Sequence, residues 1–455
     1  MHKFTRFYFK SFEFDYSQLQ AKFHYSFDNE VFFEEIIDFK NEQFVQKTQL
    51  DKDILNNLLF HLHIAFGISY YKLFPTKELI VESAYLDDFQ IDFWKKFYSN
   101  GLGEFLFTNK ISPKGLFDFV NKSEIVYTKK DFTTSDKSLV AIGGGKDSIV
   151  TIELLKKADI DFDLVVFGKI DQLKQYTSDI SEKSILQITR KISENLFELN
   201  NKGYYNGHVP ITGLIAFALE VACYLYDYKY IILSNEKSAS FGNTFWEGLH
   251  INHQYSKSLD FEKDFENYVS KYISSNTKYF SFLRGMYEVK IANLFSKYGK
   301  DYFKKFSSCN NNFKILKNES NSNHGFWCNN CPKCAFVFSI LRPYITTNEV
   351  LEIFGADLYE RIDLEKLFRE LLGISGIKPF ECVGEAEEVV YSMYLTIKNH
   401  YNDEEKLPFI LQIFKNEILS KMQESEFKNI EKKLVTIYND DIIPTQFKDI
   451  LKNNI

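Results

Sequence analysis

The sequence predicts an α/β protein built on a doubly wound parallel sheet, with an N-terminal α+β domain before it and a helical C-terminal region after it. Three observations lead there. "SLVAI" (138–142), "DLVVFG" (163–168) and "YIILS" (230–234) are short, nearly unbroken apolar runs, as strands buried on both faces require. They alternate with segments of helical apolar spacing such as "DSIVTIELLKK", the order of βαβ units. The first run passes through Gly143, Gly144 and Gly145 straight into a helical pattern, a strand–turn–helix with a tight, side-chain-free corner.

Residues 1–130 form the first unit. "KFTRFYFKSFEFDY" and "KFHYSFDNEVFFEEIIDF" alternate aromatic and polar residues, as half-buried strands do. Helical patterns follow in "KDILNNLLFHLHIAFGISYYKLF" and "DDFQIDFWKKFYSNGLGEFL". The unit 136–345 holds the parallel sheet: strand 138–142, helix 147–157, strand 161–168, then "SEKSILQITRKISENLFELNN", read as a helix running into a short strand at Leu196–Leu199. "ITGLIAFALEVACYLYD" reads as a buried helix and "YKYIILSN" as the next strand, while the Asn-rich "CNNNFKILKNESNSNHG" reads as loop. From 346 to 455 the pattern is mainly helical, interrupted by the turn "KPFECVG".

Lys plus Arg number 55 against 62 Asp plus Glu, a formal net charge of −7, which offers no basic footprint for nucleic acid. The opening residues lack a signal-peptide apolar core. The longest apolar stretch carries Glu220 and Asp227 and is too short and too charged to cross a bilayer. A cytoplasmic protein that acts on a small molecule, with no membrane or nucleic-acid partner, is expected; oligomeric state is not legible.

The glycine turn carries the chemistry. Bare amides at a strand-to-helix corner, with the positive end of the helix behind them, bind anions. Gly143–Gly145 leave no Cβ to hold a phosphate off; Lys146 adds charge, Ser148 a hydroxyl, and Asp147 can orient the loop or reach magnesium. Val140 rules out the G-x-x-x-x-G-K-[ST] spacing, and no G-x-G-x-x-G is present. The plain alternative is an ordinary helix start.

"GGGKDS" after an apolar strand resembles the loop of the PP-loop ATP pyrophosphatase superfamily, S-G-G-x-D-S, with Gly143 in place of its serine. The resemblance implies ATP, magnesium, cleavage to AMP and pyrophosphate, and attack of a substrate oxygen on the α-phosphorus. With "SNEKSAS" (234–240), "NHQYSKS" (252–258), "CPKCAFVF" (331–338) and "KPFECVG" (378–384), the chain resembles the UDP-N-acetylmuramoyl-L-alanyl-L-glutamate epimerases of peptidoglycan synthesis. That family implies ATP-dependent inversion of the terminal L-Glu of UDP-MurNAc-L-Ala-L-Glu to D-Glu. An adenylated carboxylate is an electron sink, so its α-proton becomes removable; inversion then takes a proton from one face and returns one to the other.

Candidate residues follow from position. Asn235 and Glu236 end the strand "YIILS", where ligands of α/β sheets sit. His253 and Lys257 lie four apart, on one face if helical, with Tyr255 and Ser256 between them as donors. His208 precedes a buried helix. Cys382 reads as an acid or base, or as a small buried hydrophobe. Arg284 offers a fork for a carboxylate or phosphate, or a surface ion pair. Cys328, Cys331 and Cys334 at two-residue spacing, preceded by Cys309 with eighteen residues between, suit a structural zinc site; an iron–sulfur cluster or reduced thiols are the alternatives. The rival functions are a PP-loop ligase or base-modifying enzyme of the 7-deazaguanine or tRNA-thiolating kind, and a non-catalytic nucleotide sensor.

Overall fold

A computed structural model describes residues 3–168, 184–313, 326–401 and 407–455. Its strands are β1 (Arg6–Asp15), β2 (Gln20–Phe27), β3 (Val31–Asp38), β4 (Glu78–Val81), β5 (Asp118–Asn121), β6 (Ser138–Ala141), β7 (Phe162–Phe167), β8 (Ile185–Lys191), β9 (Tyr230–Leu233), β10 (Thr244–Trp246), β11 (Leu249–Ile251) and β12 (Lys278–Ser281). Ten of them make one sheet in the order β12, β9, β6, β7, β8, β3, β2, β1, β4, β5, while β10 and β11 pair as a separate ribbon.

The five strands from β12 to β8 run parallel, as expected of a doubly wound core. Beyond β8 the sheet is mixed: β3 joins antiparallel, β2 and β1 follow as antiparallel neighbours, and β4 and β5 return to parallel. The strands of residues 1–130 therefore extend the same sheet. Asp28 and Asn29, with φ of 49° and 57°, turn β2 into β3, two left-handed residues matching the twist of a tight hairpin.

Successive residues of the central strands point to opposite cores. Leu139, Val165, Ile231 and Tyr279 join a cluster with the helices Lys52–Tyr71, Asp88–Gly101, Ile211–Tyr226 and Leu259–Tyr272. Their neighbours Val140, Val166, Ile232 and Phe280 join a second cluster with Lys146–Lys157, Glu288–Tyr298, Pro332–Leu341 and the C-terminal helices. Burial on both faces is what the unbroken apolar runs required.

The segment 181–201 differs from its expected order. Where described, it is the strand β8 followed by the helix Glu194–Asn201; residues 181–183 lie outside the described residues. Leu186 and Ile188 are buried two apart, a strand period, while Leu196 and Leu199 are buried three apart, a helical one. The short apolar pair mimicked a strand end. Most of the Asn-rich stretch also lies outside the described residues; Asn310–Phe313 is a short 3-10 turn.

Candidate active site

The connection after β7 leads to β8 on one side of β6, and β9 lies on the other. The carboxyl ends of β6 and β9 thus form the switch point where open α/β sheets bind ligands. The Gly143–Gly145 loop leaves β6 there, and Asn235–Glu236 leave β9.

Gly144 has φ of +86°, a conformation a side chain would strain. Its carbonyl accepts from the Ser307 amide at 2.9 Å. Gly143 is exposed, and a Cβ built on it would meet nothing within 4 Å. Gly145 begins the helix Lys146–Lys157 with extended backbone, and no side chain among the described residues caps that end. The corner is thus open at Gly143, while a Cβ on Gly145 would come within 3.4 Å of the Ser308 hydroxyl, and bare amides at such a helix start suit an anion. The Ser148 hydroxyl donates to the Gly145 carbonyl at 3.0 Å.

Below the loop lies a charged cluster. Lys146 is buried and bonds both Asp147 and Glu288; Lys333 reaches Glu288 at 3.4 Å. Oxygens of Asp147, Glu236 and Glu288 lie within 4.8 Å of one another. Burial favours a neutral Glu288, yet Lys146 and Lys333 outweigh it and hold the carboxyl down at about 2. Burial, with Glu288 and Asp147 alongside, pushes Glu236 up to about 7. Burial, then Glu288, lifts Glu388 to about 8; its oxygens accept from the amides of Glu288 and Glu385, each at 2.7 Å.

A second group stands beside it. The Lys257 ammonium is 3.3 Å from the Cys382 sulfur. The His253 ring bonds Glu104 through Nδ1, and Cys382 lies close enough to act on its charge. The His208 Nδ1 is 3.6 Å from the same Glu104 oxygen, and the two imidazoles stand 4.5 Å apart. Burial opposes ionisation of Cys382, but Lys257 and His253 together bring its thiol down to about 5. Burial likewise disfavours a charged His253, and Cys382 and Glu104 together raise it to about 9. Burial and the neighbouring His253 keep His208 well below its ordinary value. Lys257 also feels Glu236, and Cys382 feels Lys333, so the two groups share one field.

His253 and Lys257 do meet, but not on a helix face. Tyr255–Lys257 is a single 3-10 turn, and Ser258 caps the following helix through the Phe261 amide. Tyr255 and Ser256 are buried, Tyr255 against Phe261. Asn235 is buried and donates to Ser281 at 2.9 Å, tying the end of β9 to β12. Arg284 does not form a surface ion pair. It is buried, paired with Glu262 at 2.7 Å, and donates to the carbonyls of Glu236 (2.6 Å) and Lys257. A guanidinium committed to internal acceptors on Glu262, Glu236, Lys257 and Ser281 braces the two loops that carry the site.

The four clustered cysteines do converge. Sulfurs of Cys309, Cys328, Cys331 and Cys334 lie within 4.8 Å of one another, with Cys331–Cys334 at 3.4 Å and Cys328–Cys334 at 3.7 Å. Thiolates about 2.3 Å from one zinc at tetrahedral corners are about 3.8 Å apart, so the donor set fits that ion.

Glu104, Glu288, Lys333 and Glu388 were not singled out by the sequence. The three glutamates are acidic residues in first helical turns, among the commonest positions for a carboxylate. Only Lys333, inside "CPKCAFVF", lay within a recognised motif.

Two family descriptions match this chain: the MurL N-terminal domain over residues 1–282 and the MurL C-terminal domain over residues 305–428. Three relatives bear the name UDP-N-acetyl-alpha-D-muramoyl-L-alanyl-L-glutamate epimerase. That of Xanthomonas oryzae pv. oryzae is 35% identical over 327 residues, covering 72% of this chain and 71% of its own. That of a Micromonospora strain is 34% identical, covering 75% of each chain. That of Salinispora tropica is 33% identical over 401 residues, covering 87% of this chain and 85% of its own.

Proposed function

The chain belongs to the MurL family, whose N- and C-terminal domain models both match it, and from that membership we propose that it epimerises the terminal L-glutamate of UDP-MurNAc-L-Ala-L-Glu, with ATP cleaved to AMP and pyrophosphate. The reaction serves peptidoglycan precursor synthesis. The ATP part belongs with the PP-loop superfamily reading of "GGGKDS". The observation that carries it is the open glycine corner at the sheet's switch point, with buried Lys146 and three convergent carboxylates beneath it.

An α-proton next to a carboxylate is hard to remove, because the carbanion would sit beside a charge already present. Esterifying that carboxylate to the α-phosphoryl group of ATP removes the charge and turns the carbonyl into an electron sink. Attack at phosphorus needs positioning and charge stabilisation more than covalent help. The amides of Gly143–Gly145 and the first helical turn would hold the pyrophosphate portion, with Lys146 neutralising charge on it. Asp147, Glu236 and Glu288 would hold magnesium, which supplies further neutralisation of phosphate oxygens. Water hydrolyses the mixed anhydride after inversion. Cys309, Cys328, Cys331 and Cys334 would hold a structural zinc outside the chemistry.

The test is incubation of the protein with ATP, magnesium and UDP-MurNAc-L-Ala-L-Glu in deuterium oxide. AMP together with deuterium at the glutamyl α-carbon is expected, and Asp147→Ala abolishes both. AMP formation without α-deuterium, or turnover that survives Asp147→Ala, defeats the reading.

A further inference from the structure

Glu104, His253, Cys382 and Lys257 form a connected ionic relay beside the phosphate corner, and Glu104 was drawn into it by no motif. They come from four places in the chain: the first turn of the helix Gly103–Asn109, the loop after β11, the turn "KPFECVG", and the 3-10 turn Tyr255–Lys257. All four side chains, with His208, are partly exposed, whereas Lys146, Lys333 and Arg284 behind them are buried. The relay is therefore open to solvent. An ammonium in contact with a thiol, with a carboxylate-fixed imidazole beside it, is an arrangement that activates cysteines.

We infer that Cys382, kept as a thiolate by Lys257 and by the Glu104–His253 pair, is the base that removes the glutamyl α-proton, with Glu104 as its positioning residue. The inference rests on the epimerase reading above. In the step, Cys382 Sγ takes the proton from the α-carbon and becomes the neutral thiol. The C–H electron pair passes into the activated carbonyl as an enolate. His253 and Lys257 keep their protons, and Glu104 keeps its charge.

Geometry decides what Lys257 does not do. Two groups that flank a carbon stand roughly 7 Å apart, the sum of two van der Waals contacts. Lys257 and Cys382 are 3.3 Å apart, so both act from one face. The proton that completes inversion comes from water on the opposite face, and the Cys382 thiol afterwards loses its proton to solvent, restoring the ion pair. D-product formed in deuterium oxide thus carries solvent deuterium from its first turnover.

Several charges bear on the sulfur. Lys257 and His253 face it directly, Lys333 from the helix Pro332–Leu341 adds to them, and Glu104 and His208 lie behind His253. Glu236 acts on it through Lys257.

Two measurements test the inference. In the first, iodoacetamide labelling of the peptide containing Cys382 is followed against pH in the protein without ATP. Wild type is expected to label with a midpoint near 5, and Glu104→Gln to move that midpoint upward, with Glu104→Asp returning it part of the way. A wild-type midpoint above about 8, or one unmoved by Glu104→Gln, overturns the inference. In the second, Cys382→Ala and Cys382→Ser are given ATP and UDP-MurNAc-L-Ala-L-Glu in deuterium oxide. Both should still release AMP while α-deuteration falls by about a thousandfold, in the range of one lost acid–base group.

Undiminished α-deuteration in either Cys382 variant overturns the inference. So does a wild-type chain that gains the mass of the acyl substrate, which would make Cys382 a nucleophile. A chain that labels as expected yet releases no AMP with any acid substrate leaves the thiolate relay standing and removes the ATP reading instead.

Discussion

Gly143 shows how a single absent side chain divides stability from function. A Cβ there meets nothing within 4 Å, so the native fold gains nothing from glycine at that position. The space matters only if a ligand enters it. Gly143→Ser, the residue of the wider superfamily pattern, is expected to keep the melting temperature and to keep AMP release. Gly143→Val is expected to keep the melting temperature but cut AMP release by roughly tenfold or more, since the branched side chain occupies the phosphate corner. A thermal melt beside an AMP assay reads both. Equal AMP release by Gly143→Val and wild type would put the phosphates elsewhere. Cys382 teaches the converse. On its own it reads equally as a core hydrophobe; its neighbours Lys257, His253 and Glu104 are 125, 129 and 278 positions away in the chain, so only folding reveals the thiolate.

At the scale of elements, short turns do the positioning. The helix Pro332–Leu341 starts at Cys331, carries Cys334 in its first turn, and presents Lys333 between them to Glu288. A metal clamping Cys331 and Cys334 would therefore also fix the ammonium beneath the glycine corner. Purified protein is expected to carry one zinc per chain, measured by elemental analysis. Cys334→Ser should lose that zinc and lower the melting temperature, because part of the metal-binding free energy is folding free energy. Stoichiometric iron, or full stability without metal, would refute the zinc assignment. Arg284 performs a comparable service without a metal, joining the Glu236 turn to the Lys257 turn. The two-residue cysteine spacing was readable in advance. The Arg284 brace was not, because an arginine fork looks the same whether its partner is Glu262 or a substrate.

For the whole molecule, one sheet separating two cores sets the pH response of stability. Glu220 lies in the buried helix Ile211–Tyr226, one oxygen accepting from Thr277 at 2.8 Å and the other with no hydrogen-bond partner among the described residues. Burial raises it to about 8. Its contribution is full below its ordinary value near 4.5 and is lost as pH climbs through about 8. His61 and His63, buried in the same core, are held near 3 by burial. Their contribution is full above the ordinary 6.5 and is lost as pH falls toward 3. Melting curves across pH should therefore show a maximum between these limbs. Glu220→Gln should match wild type near pH 5 and exceed it above pH 8; no difference at high pH would refute this account. What the amino-acid order alone determined was local: unbroken apolar runs for strands buried on both faces, a bare glycine corner before a helix, paired cysteine spacings, and the motifs of a family. Those signals survive in one dimension because they depend on neighbours a few residues apart. Tertiary structure alone decided that β3 would seam the N-terminal strands onto β8, that Arg284 would face inward, and that Glu104, His253, Lys257 and Cys382 would share one proton network. Electrostatic coupling falls with distance in space, and chain separation carries no record of that distance.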